Sequence, residues 1–233
     1  MPLDTLRLDV AVVPSPIDAS AHAVRVFIDE VEQTERGAGM GMDPYDVFVP
    51  VNRLVAGPEP RTVPIARCSC GTYGCSRTDV TITRLGDRVR WDWSHQAPMR
   101  RAAEFDAVEY DREVARLGAD TSWEDAGRRA GRLVLAGADW EALARHELTP
   151  GFVGGDHRDP GVFVVALRYR ESEYQVFLRE PWGSGTPDDL AARLVARLAT
   201  PPREWEATWH PVVYKITHPP AIAGVGWQRE IVF

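Results

Sequence analysis

All three cysteines of the chain fall within eight positions, Cys68-Ser69-Cys70-Gly71-Thr72-Tyr73-Gly74-Cys75, and the clearest hairpin follows at once. Thr78 to Leu85 and Arg88 to Trp93 alternate in polarity and are joined by Gly86-Asp87, a two-residue turn with glycine first. Val80 and Ile82 share a face of one arm, and Val89, Trp91 and Trp93 share a face of the other. Val63 to Cys68 leads in as a strand, which Pro64 places at a sheet edge because proline has no N–H for a central ladder. The chain must therefore build antiparallel sheet around a tight, cysteine-bearing turn.

Residues two apart on a strand point the same way, so Cys68 and Cys70 present their thiols together. Gly71 and Gly74 let the chain double back and bring Cys75 toward them. The returning arm ends beside the turn, and His95 stands there, just past Trp93. Three thiolates and an imidazole form a donor set of tetrahedral structural zinc sites. Cys68, Cys70, Cys75 and His95 are thus the candidate metal ligands, and zinc the candidate cofactor. Two other readings stay open. Cys-x-Cys is tighter than the usual spacing of zinc ligands, and free cysteine also packs as a small apolar side chain. A redox disulfide of Cys68 or Cys70 with Cys75 would leave one thiol over.

A chain of 233 residues is long enough for one large or two small domains with real cores. Its 27 basic and 34 acidic residues give a net charge of −7, which argues against nucleic acid or an anionic membrane as the main partner. Met1 to Val13 is interrupted by Asp4, Arg7 and Asp9 and lacks the apolar run of a signal peptide, and no stretch is long enough to span a bilayer. With an odd cysteine count, a reducing, cytoplasmic setting is expected.

Leu6 to Val10 and Val24 to Ile28 alternate as strands. Gly37 to Gly41 resembles a dinucleotide loop only loosely, because Met42 occupies the third glycine's place and Pro44 stands where a helix would open, so it reads as a loop. Beyond Met99 the character changes. Phe105 to Leu117 has helical spacing at Tyr110, Val114 and Leu117, and Thr121-Ser122-Trp123-Glu124 reads as a capping box for a second helix. Asp139 starts a short third helix, Gly151 to Gly161 is a loop, and Val162 to Tyr169 with Tyr174 to Leu178 form a hairpin. Thr186-Pro187-Asp188-Asp189 opens a helix with a cap, a proline at its first position and acids at its positive end. Trp205 to Val213 suggests one more strand. The fold class is therefore α+β, with antiparallel sheet in the N-terminal half, then helices, a β-hairpin and a helix. The organisation expected is residues 1–98, mainly β with the cysteine turn; 99–213, α+β; and a tail, 214–233.

Other constellations read more plainly as structure. Asp156-His157-Arg158-Asp159 offers carboxylates and an imidazole for a cation or for acid–base work, but Asp and Gly are also ordinary turn residues. Ser184 sits between adjacent glycines rather than in G-x-S-x-G, and His146-Glu147 lacks a zincin's second histidine. The run from Gly41-Met42-Asp43-Pro44 through the cysteine turn to Val89-Arg90-Trp91, with Phe105 to Asp111 and Ser122-Trp123-Glu124, resembles a family in high-GC bacteria. Its members share a Cys-x-Cys-Gly-x-x-Gly-Cys turn followed by a Val-x-Trp strand. The resemblance, over residues 20 to about 200, implies the domain and no particular activity. With no coherent nucleophile, base and acid in the sequence, the expectation is a non-catalytic binding protein. Its role would be that of an immunity-type or accessory partner of another protein. The alternative is an enzyme using the cysteines as a metal or thiol redox site.

Overall fold

Strand β1 (Leu6–Val12) pairs antiparallel with β2 (His22–Ile28), and β3 (Val31–Glu32) adds to the far side of β2. The computed structural model describes residues 2–13, 21–70, 75–156 and 158–230. They form α+β structure in two compact units, Met1–Trp123 and Glu124–Phe233. In the first unit a five-stranded antiparallel sheet runs in the order β4 (Gly39–Gly41), β5 (Arg61–Cys68), β6 (Arg77–Leu85), β7 (Arg88–His95), β8 (Ala103–Asp106). Two helices complete it, α1 (Pro44–Phe48) and α2 (Ala107–Ala119).

Two prolines behave differently from the sequence expectation. Pro44 does not stop a helix: it occupies the first position of α1, where no N–H is needed, behind an Asp43 cap that accepts from Tyr45 N. Nor does Pro64 place β5 at the sheet edge: β5 lies between β4 and β6. Strand β4 pairs only with Ala66 to Cys68, so the proline stands where that side has no ladder partner among the described residues, next to a register shift between Pro64 and Ala66. Gly37 to Gly41, read as a loop, contains β4. Gly41 lets that strand approach β2 closely, since a Cβ there would lie 1.9 Å from Val24 O.

The hairpin of β6 and β7 supplies the centre of the first core. Val80, Ile82, Val89 and Trp91 are buried, and Trp91 packs edge-on against Phe105 and Tyr110 at 5.5 and 6.1 Å. Phe105 belongs to β8 rather than to α2, because Asp106 caps the helix by accepting from Val108 N and Glu109 N. Buried Tyr110 donates to Leu54 O at 2.6 Å and accepts from Trp91 Nε1 at 3.2 Å, and burial raises its phenol pKa far above the ordinary 10.0. Glu113 and Arg116 of α2 take the N–H and C=O of Leu8, so side chains complete an otherwise open stretch of β1.

In the second unit α3 (Ala126–Gly137), α4 (Trp140–Ala144) and α5 (Pro187–Leu198) accompany a sheet ordered β13, β12, β11, β10, β9. These strands are β9 (Leu148–Gly155), β10 (Val162–Tyr169), β11 (Tyr174–Pro181), β12 (Ala207–Pro211) and β13 (Trp227–Arg229). Helix α3 opens at Asp125, whose carboxylate accepts from Arg128 N, and not at the expected Thr121 box; Glu124 pairs with Arg132 instead. Part of the expected Gly151 to Gly161 loop is strand β9. The Thr186 capping box is present with Asp189 as its reciprocal partner. The tail returns as β13, parallel to β12, with Trp227 stacked on Trp205 at 6.2 Å and donating to Pro202 O.

Tyr110→Phe leaves Leu54 C=O and Trp91 N–H without their buried partner, and urea denaturation is expected to show a loss of about 2–4 kcal/mol. Asp4, 8% exposed, accepts from Arg101 and from Glu104 N at 2.9 Å. The Arg101 hydrogen bond holds its carboxyl below the ordinary range. Stability from this depressed group is present above the unfolded value of 3.8 and is lost as pH falls through the lower folded value. Asp4→Asn should flatten the acid limb of a pH-dependent thermal denaturation series.

Candidate metal centre

The strand end that carries Cys68 is held from both sides by backbone. Cys68 ends β5 opposite Gly39 of β4, and its N–H donates to Ser76 O at 2.9 Å to close the hairpin with β6. The irregularity at Pro64 resets the alternation: Val63, Ile65 and Ala66 are all buried, and Ala66 then stands opposite Thr78. By strand alternation Cys68 is the next position on the side of Ala66, at the open end of the buried row. Gly39 reaches its place with φ +106°, a conformation that other residues rarely adopt.

Cys68 is half-buried, Cys70 and Cys75 are exposed, and no disulfide joins any two of the three. Their sulfurs lie within 4.8 Å of one another. One metal ion with bonds of about 2.3 Å would hold tetrahedral sulfurs about 3.8 Å apart, so the cluster fits a single ion with little contraction. Cys70 N–H points to Cys68 Sγ at 3.5 Å. Hydrogen bonding and charge from Cys68, then from Cys70, raise the Cys75 pKa above its ordinary 9.0. The neighbours thus disfavour a lone thiolate, and a bound cation would reverse that balance by neutralising the crowded sulfurs.

His95 is placed otherwise than β alternation implies. It faces Thr78 in the ladder, yet its φ of +63° departs from strand geometry. Its Nε2 accepts from the Arg77 guanidinium and lies 3.6 Å from Asp79 Oδ2. Arg77 and Asp79 flank Thr78 along β6 and so occupy the opposite side of the strand. His95 is not in the group of ligand atoms that the three sulfurs form. Thr78, whose face it would have shared, donates to Gln96 O at 2.8 Å.

The other sequence constellations are engaged locally. Asp156 accepts from Arg158 N and pairs with Arg179, and Asp159 accepts from Gly161 N, the signature of turn residues; His157 lies outside the described residues. Sequence reasoning overlooked Gly39, Arg77 and Asp79 as neighbours of the cysteine hairpin. Only the Gly-x-Gly spacing of 39–41 hinted at a close approach. No family model, curated protein or solved structure matches the chain. No helix among the described residues is long and apolar enough to cross a membrane.

Gly39→Ala meets no atom within 4 Å, so any cost comes from the backbone alone. The expected loss is on the order of 1–3 kcal/mol in chemical denaturation, with weaker metal retention because the strand beside Cys68 is strained.

Proposed function

We propose that the chain is a non-catalytic binding protein, an accessory or immunity-type partner of another protein, whose cysteine hairpin is organised by a metal of the zinc class. The observation that carries this reading is the convergence of three sulfurs, two of them exposed, at the end of the β5–β6 hairpin. A metal there would tie Cys68, Cys70 and Cys75 together, and metal binding of this kind contributes directly to folding stability. The chain's charge of −7 favours a partner with a basic surface, through steering and complementarity. The side chains of Asp156 and Asp159, a further acid–base constellation in the sequence, are engaged in turns and with Arg179.

Protein purified under reducing conditions is expected to carry one equivalent of metal by elemental analysis. Chelation should lower its melting temperature and expose all three thiols to titration. Metal-loaded protein immobilised as bait should retain a basic protein from its host, salt-sensitively, and Cys75→Ser bait should retain less. No metal together with one fast-alkylating thiol at neutral pH would instead favour the enzyme reading. Retention unaffected by either salt or the Cys75→Ser change would sink the binding reading.

A further inference from the structure

We infer that the metal centre is a sulfur-only site, Cys68, Cys70 and Cys75, with one coordination position left open to a donor from outside the chain. This rests on the reading that the cluster takes a metal. The first ground is geometric: among the described residues the group of mutually close ligand atoms consists of three sulfurs, with no histidine or carboxylate joining them. The second is that the one imidazole the sequence offers nearby is occupied. Arg77 donates to His95 Nε2, which leaves that nitrogen no lone pair for a metal, and Asp79 lies beside it. The third is access, since Cys70 and Cys75 are exposed while Cys68 is anchored in the ladder. Two of the three sulfur ligands are thus reachable from solvent.

Structural zinc sites are closed by four protein ligands, whereas the three-ligand arrangement, best known from catalytic zinc sites, leaves a fourth position for an exchangeable donor. In a binding protein that position would serve contact. Three thiolates also suit soft cations such as Cu(I), which are content with sulfur alone. The open position would take a soft or borderline donor, a thiolate or an imidazole. That donor comes either from a small molecule or from a side chain of the binding partner, which would make the metal part of the contact.

The test uses the full reduced chain loaded with Co(II), whose visible bands report coordination geometry and whose sulfur charge-transfer band reports bound thiolates. Free imidazole and a small monothiol are added in separate arms, and wild type is compared with His95→Ala, His95→Gln and Cys75→Ser. Expected are bands that shift on adding either donor, and Co(II) affinity in both His95 variants within about tenfold of wild type, the lower bound for losing even an indirect support of a ligand. Cys75→Ser should diminish the charge-transfer band. In a further arm, a partner retained by the bait should shift the bands by itself if it supplies the donor, and leave them to respond to the small thiol if it does not. Bands indifferent to added donor, or a loss of tenfold or more in His95→Gln, would show a closed site and overturn this inference alone. Absence of any Co(II) or Zn(II) binding would overturn it together with the reading beneath it.

Discussion

The hydrogen-bonded ladder of β5, β6 and β7 is the constraint on which the first unit depends. Its side chains carry the core, with Val63, Val80, Ile82, Val89 and Trp91 fully or nearly fully buried. Its far end carries the cysteines, because the Cys68 N–H to Ser76 O bond closes the hairpin just where the thiols begin. Burying apolar surface on one face of a sheet fixes register, since a one-residue slip would turn every core residue to the other side. The same register therefore sets where Cys68 points. The irregularity at Pro64 belongs to this logic: it shifts the alternation so that Ala66 and not Arg67 stands with the buried row.

Several polar groups near this core are satisfied by long-range partners, although Trp93 Nε1 is buried without one among the described residues. Tyr110 links Trp91 to the backbone of Leu54, Asp4 ties Arg101 to the start of β8, and Glu113 with Arg116 closes the backbone of Leu8. Such bonds add little net energy individually, but each removes a buried orphan that would cost more. In the second unit Arg179 joins Asp156, Thr208 and Glu230 across β11, β12 and the segment after β13. The Asp156 loop is thereby drawn into the sheet's own support. Residues that looked chemical in the sequence are spent on structure, and the thiols stand out because their three sulfurs lie close together.

The contrast between the thiols and His95 is instructive. The thiols are gathered by local chain geometry, a strand end and a turn, whereas the imidazole depended on a partner across the hairpin. Arg77 competes for it with a charge-assisted hydrogen bond, and the departure of His95 from strand geometry takes it toward Arg77 and Asp79. The result is a soft, sulfur-dominated environment on an exposed tip, suited to holding an ion and presenting it.

Local pattern was enough to read much of this chain. Two-residue alternation around Gly86-Asp87, the Thr186 box with Pro187, and the spacing of Tyr110, Val114 and Leu117 are short-range signals, and each is realised within a few residues of where it was written. The cysteine cluster was legible for the same reason. Sequence alone misread Pro44 and Pro64, the start of α3, the strand content of 39–41 and 151–155, and the surroundings of His95. Each of these turns on a partner distant in the chain or on competition between equally plausible caps. Which strand lies beside Pro64, and which cation reaches His95 first, are settled only when remote segments pack together, because hydrogen bonds and ion pairs between them carry no periodic trace in the sequence.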